Sequence, residues 1–164
     1  MEIHETTAKT ILVASKLPDT DYVVNPYTGC VFGCAYCYAS FMGRFVGESF
    51  ENWGNYLYVK VNAPELLAKE LKALAPEKRR SRVLLSSVTD AYQYAERKYR
   101  ITRRLLETFA EDNYPGLISI LTKSPLVVRD LDVLLRLAST EVGFTITTTD
   151  DRASSELEVR APLA

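Results

Sequence analysis

The chain has 164 residues, with a hydrophobic fraction of 47%, a charged fraction of 25% and a formal net charge of −1. Those values fit one globular domain and supply no global attraction toward nucleic acid. No apolar run reaches the ~18 residues of a membrane span, and Met1-Glu2-Ile3-His4-Glu5 lacks the basic start and apolar core of a secretory signal, so a cytoplasmic protein is expected.

Residues 1–20 carry no clear periodicity and read as a leader, with the core expected over 21–164. Tyr22–Asn25 is a short strand ending at Pro26. The loop after it holds all three cysteines of the chain, in Cys30-Val31-Phe32-Gly33-Cys34-Ala35-Tyr36-Cys37. Asn52–Asn62 includes the alternating Tyr58-Val59-Lys60-Val61 and predicts an inserted strand. Pro64 opens a helix to about Leu74, with Leu66, Leu67 and Leu71 at helical spacing. Arg82–Val88 reads as a buried strand. Ile101–Asp112 is amphipathic, with Leu105, Leu106 and Phe109 inward and Arg103, Arg104 and Glu107 outward. Leu117–Leu121 is a third core strand, Val127–Leu137 a helix and Val142–Thr147 a fourth core strand. Strands alternating with helices predict an α/β fold of parallel βα units.

The cysteine spacing is C-x3-C-x2-C. An odd, tightly clustered set is poor disulfide material and suits a reducing compartment. A tetrahedral zinc site or a fully protein-ligated cubane cluster wants four ligands. Three thiolates on a [4Fe–4S] cluster leave one iron open, which marks a site that does chemistry. Gly29 and Gly33 flank the first two cysteines, where a loop wrapping a compact cluster needs positive φ. The alternative is a structural zinc site completed by His4, the only histidine. In a parallel sheet, ligands bind beyond the carboxyl ends of the strands. The cysteine loop, Ser87–Asp90, Lys123–Ser124 and Thr147–Asp150 each follow a strand and are expected to converge on one edge.

Asn25-Pro26-Tyr27-Thr28-Gly29, the cysteine triplet and Tyr36-Cys37-Tyr38 together resemble the signature of radical S-adenosylmethionine (SAM) enzymes. Within that superfamily the chain is similar to the spore photoproduct lyase-like branch, also called DNA repair photolyase-like. Ser86-Ser87-Val88-Thr89-Asp90, Glu96-Arg97-Lys98-Tyr99-Arg100, Leu121-Thr122-Lys123-Ser124, Arg129-Asp130-Leu131-Asp132 and Thr145-Ile146-Thr147-Thr148-Thr149-Asp150 carry the likeness over roughly residues 22–164. The resemblance implies a partial (β/α) barrel in which Cys30, Cys34 and Cys37 hold a [4Fe–4S] cluster. It also implies SAM at the open iron, cleaved reductively to a 5′-deoxyadenosyl radical, with flavodoxin or ferredoxin as electron donor.

The same resemblance assigns SAM contacts to Tyr36, Tyr38, Ser87, Asp90, Lys123 and Thr147. Each has a plainer reading. Tyr36 and Tyr38 could be packing, Ser87 and Asp90 helix caps, Lys123 a solvated charge, and Thr147 an ordinary strand residue. Glu96 reads as part of a surface network with Arg97 and Lys98. Lys78-Arg79-Arg80-Arg82 and Arg97-Lys98-Arg100-Arg103-Arg104 leave nucleic-acid binding open against solvated faces. Two departures stand out. No cysteine remains to serve as the hydrogen-atom donor of the lyase reaction. Only about four core strands can be counted, which predicts either a truncated product or a partner chain covering the exposed edge at Val142–Thr147. A non-catalytic fragment that binds a cluster or zinc is the alternative function.

Overall fold

Short apolar stretches assemble two sheets in the computed structural model, which describes residues 1–162. The smaller sheet has the order β1 (Glu2–Thr6), β5 (Tyr56–Lys60), β4 (Tyr27–Thr28). β1 runs parallel to β5, and β4 runs antiparallel to it. The larger sheet has the order β2 (Leu12–Ala14), β3 (Tyr22–Val24), β6 (Val83–Leu85), β7 (Ile118–Thr122), β8 (Thr140–Phe144). Strands β3, β6, β7 and β8 are parallel neighbours, while β2 pairs antiparallel with β3.

The four parallel strands match the expected core, and the whole is a mixed α/β architecture. Two readings change. The first twenty residues are woven into both sheets through β1 and β2, rather than standing apart as a leader. Both sheets are open, and no barrel closes among the described residues.

Helix α1 (Ala63–Ala73) starts with Pro64 in its first turn, where the missing N–H costs nothing. Its Leu67 and Leu71, one turn apart, are fully buried against α3 (Ile101–Glu111). α3 contributes Leu105, Leu106 and Phe109, all fully buried. Each such side chain is worth about 1.5–3 kcal/mol of transfer free energy. Ahead of α3 lies the single-turn α2 (Glu96–Tyr99), separated from it by Arg100 in a left-handed conformation.

The helix expected over Val127–Leu137 is broken. Pro125–Asp130 winds as 3₁₀, and only α4 (Leu131–Leu134) is α-helical. Ser124 caps the turn and Pro125 suits its first position, while Asp130, where the 3₁₀ turn gives way to α4, is tied to Arg103 and Arg129. The fourth core strand lies earlier than expected, at Thr140–Phe144, so Thr145–Asp150 is a loop leading into α5 (Asp151–Leu157). Asp150 caps α5 by accepting from the amides of Arg152 and Ala153. β8 ends the larger sheet and is largely exposed, with Phe144 half exposed.

Candidate metal and cofactor centre

The cysteine loop hangs between β4 and the 3₁₀ turn Tyr38–Phe45. Gly29 opens it with φ +95°, where a Cβ would meet the Tyr56 carbonyl oxygen at 2.6 Å. Only glycine fits there without a backbone shift. Gly33 also has positive φ, as the loop reading required.

Backbone bonds tighten the turn, with the Gly33 amide donating to the Cys30 carbonyl at 3.2 Å and the Cys37 amide to the Cys34 carbonyl at 3.1 Å. The fully buried Gln93 accepts from the Val31 amide at 2.9 Å and donates to Thr89 Oγ1 at 2.9 Å. Thr89 in turn donates to the Gly29 carbonyl at 2.6 Å. The turn after β6 therefore grips the loop from below.

Cys30, Cys34 and Cys37 line one cavity of about 270 Å³. Its far wall is formed by Ser86–Asp90, Thr122, Lys123 and Thr145, from the carboxyl ends of β6, β7 and β8. Ser87–Asp90 and Lys123 thus meet the cysteine loop as expected, whereas Ser124 and Thr147–Asp150 stay outside this cavity and Thr145 lines it instead. All three thiols are free. Among the described residues no group of three or more His, Cys, Asp or Glu side chains converges closely enough to grip a single metal ion. Burial pushes all three thiols up, Cys34 to about 11, so each is protonated at neutral pH. His4 is no fourth ligand: it stacks on Tyr58 with ring centres 4.9 Å apart and bonds Glu2 on the smaller sheet.

Two predicted contacts sit in the cavity wall with partners of their own. Ser87 Oγ accepts from Asn25 at 3.2 Å. Asp90 is buried and accepts from the Thr122 hydroxyl at 2.7 Å, the Tyr92 amide at 2.8 Å and the Lys123 amide at 2.9 Å. It lies in the cavity wall but caps no helix, because α2 begins at Glu96 with no side-chain cap and Asp90 instead closes a turn onto the Tyr92 amide. Tyr38 lines the cavity, is 66% exposed and donates to the Ser87 carbonyl.

Lys123, Tyr36 and Thr147 form a second group that sequence reasoning did not anticipate as a unit. Their common partner is Glu158, which the sequence reading passed over. Glu158 Oε1 takes Lys123 Nζ at 2.5 Å, the Thr147 hydroxyl at 2.6 Å and the Tyr36 hydroxyl. Burial pushes Glu158 up, but the bonds from Lys123, Thr147 and Tyr36 outweigh it and hold the carboxyl below its ordinary value. The Lys123 ammonium also lies 5.8 Å from the Tyr36 ring centre. Lys123, Thr147 and Glu158 line an adjoining cavity of about 190 Å³. Thr147 is thus beside this second cavity and outside the wall of the first.

On either side of Glu158, the segment Leu157–Arg160 is bonded to the cysteine loop. The Ala35 amide donates to the Leu157 carbonyl at 2.8 Å, and the Arg160 amide to the Phe32 carbonyl at 3.2 Å. The Arg160 guanidinium donates to the Gly54 carbonyl and to Asn55 Oδ1. The signal in the sequence was the lone acid following α5, too far from the cysteines to be linked to them by spacing.

Glu96 also departs from its expected place. It is 0% exposed and bonds Arg129 at 3.0 Å, rather than forming a surface network with Arg97 and Lys98. No helix among the described residues is long and apolar enough to cross a membrane.

The Radical SAM superfamily model matches residues 24–163. An uncharacterized protein of Methanocaldococcus jannaschii is 35% identical over 163 residues, covering 99% of this chain and 58% of its own length. Uncharacterized proteins of Mycobacterium bovis and Mycobacterium tuberculosis are 33% identical over 144 residues, covering 82% of this chain and 40% of theirs. The chain thus spans less than two thirds of each of these relatives. No solved structure matches.

Proposed function

The chain belongs to the radical SAM superfamily, and we propose that Cys30, Cys34 and Cys37 hold a [4Fe–4S] cluster that presents one open iron to SAM. The observation carrying this reading is that all three thiols ring one cavity, together with a buried Ser86 hydroxyl that has no partner. Three donors spread around a cavity suit the separated corners of a cubane, whereas a single zinc ion needs ligands drawn to a point. The donor set is all sulfur, as iron–sulfur clusters prefer. When bound, the cluster and SAM supply an electron-triggered homolysis that yields methionine and a 5′-deoxyadenosyl radical for hydrogen abstraction.

The chain's own residues then have separable tasks. The three thiols give up their protons on loading, against the burial that keeps them neutral in the free protein. Lys123 supplies positive charge for the SAM carboxylate, with Glu158 and Tyr36 holding its ammonium in place. Asp90 orders the β6 and β7 ends through its three accepted bonds. Phe32, Leu84 and Leu121 make the cavity wall apolar and limit water. Flavodoxin or ferredoxin is the proposed electron source. The lyase-like branch is proposed only for its sequence blocks. The missing spare cysteine argues against thymine-dimer repair by the lyase's own route.

A second reading is favoured by one observation: β8, at the end of the larger sheet, is largely exposed. It is a non-catalytic cluster- or zinc-binding piece that needs a partner chain along β8. Anaerobic reconstitution with iron and sulfide, dithionite reduction and addition of SAM separate the two. A brown protein releasing 5′-deoxyadenosine supports the enzyme, and its loss in Cys34→Ala supports the ligand assignment. Cluster assembly without SAM cleavage favours the fragment, and stoichiometric zinc without a cluster overturns the proposal.

A further inference from the structure

Ser86 combines three features that no other residue of the cavity shares. It is a non-glycine residue in the left-handed region, with φ +71°. It is only 7% exposed. Its Oγ has no hydrogen-bond partner. Its neighbours on the wall are all engaged: Ser87 with Asn25, Thr89 with Gly29 and Thr122 with Asp90. The backbone is tied down at this position, because the Ser86 amide donates to the Val24 carbonyl at 2.8 Å directly after β6.

A serine gains nothing from positive φ, and a buried hydroxyl without a partner is costly. Both costs at one position, in the cavity that holds every thiol of the chain, mark a donor kept for a guest.

We infer that Ser86 is a hydrogen-bond donor to the sulfur shell of the metal cluster and sets its reduction potential. This rests on the cluster reading above. The guest must accept a hydrogen bond and must sit among three thiolates, which makes cluster sulfide or cysteine sulfur the matching acceptor. Reduction adds negative charge to the sulfurs, and a donor aimed at them favours the reduced form. Ser86 therefore raises the potential and makes the cluster easier to reduce.

The test is an EPR-monitored redox titration of the reconstituted wild-type chain, Ser86→Ala and Ser86→Gly, with thermal midpoints of the cluster-free proteins measured alongside. Both variants are expected to titrate at a more negative potential than wild type. Neither should melt below wild type when cluster-free, and Ser86→Gly should melt highest because it also relieves the φ strain. A cluster with unchanged potential in both variants overturns the role of Ser86 alone. A wild-type chain that assembles no cluster overturns the cofactor reading and this inference with it. A cluster-free Ser86→Ala that melts well below wild type overturns it too, since the hydroxyl would then serve the fold.

Discussion

Two buried glutamates gather the same kinds of partner in different parts of the molecule. Glu96 accepts from Tyr27, from the amides of Thr102 and Arg103 at 3.0 and 3.2 Å, and from Arg129 at 3.0 Å. Glu158 accepts from Tyr36, Thr147 and Lys123. Each therefore joins a tyrosine hydroxyl to a cation. Glu96 does so where α2, α3 and the 3₁₀ turn Pro125–Asp130 meet, next to Asp130, which is also fully buried and binds Arg129 and Arg103. Glu158 does so among loops at strand ends, beside a cavity. The lesson is that a carboxylate–tyrosine–cation cluster is a brace when its partners sit on packed helices and a site frame when they sit on loops facing a void.

Removing Glu96 should have the largest effect. Glu96→Ala leaves the buried Tyr27 hydroxyl and the Thr102 and Arg103 amides without their acceptor, while Arg129 keeps only Asp130 as a carboxylate partner, and should cost about 3–5 kcal/mol in denaturant unfolding. A loss below about 1 kcal/mol would erase the distinction between brace and frame.

Glu158→Gln should cost less, about 1–2 kcal/mol, because Lys123 and Tyr36 can turn toward solvent. The two sites should also respond to acid with opposite sign. The lowered pKa of Glu158 gives stability that is full above the ordinary carboxylate value and lost as pH falls through the folded value. Burial raises Glu96 against its donors, so its proton-linked contribution is full below the ordinary value and lost as pH rises through the folded one. Stability measured from neutral pH down into the carboxylate range should show the Glu158→Gln deficit shrinking and the Glu96→Gln deficit widening. Parallel curves would make the two sites one kind.

Tyr36→Phe should have the smallest effect, about 0.5–1 kcal/mol, since the ring is 50% exposed and Glu158 keeps two other donors. A larger loss in thermal unfolding would make Tyr36 a brace residue.

Local pattern made much of this legible. The C-x3-C-x2-C spacing, the Leu67/Leu71 and Leu105/Phe109 repeats and the apolar runs at β6 and β7 depend on near neighbours, and each fell within a few residues of its observed element. What escaped depends on distant pairing. β1 is polar but for Ile3, shows no buried face of its own and is a strand through its pairing with β5. Glu96 looks solvent-facing among Arg97 and Lys98 until Arg129, thirty-three positions on, folds over it. Glu158 belongs to the site only because α5 returns the chain to the cysteine loop. Single-residue exposure and partners are set by tertiary closure, which periodicity does not encode.

The thiols and the rim they face belong to different sheets. Cys30–Cys37 are carried between β4 and β5, while Ser86–Asp90 and Lys123 extend from β6 and β7. Asn25 is one pin between them, beside Gln93 and Thr89: its side chain bonds Ser87 and Val88, and its carbonyl takes Lys60 of β5 at 2.8 Å. A guest held by both walls is therefore a rivet across a seam. It would add a clamp at the strand ends to the hydrogen bonds through which Asn25, Gln93 and Thr89 already join the two sides.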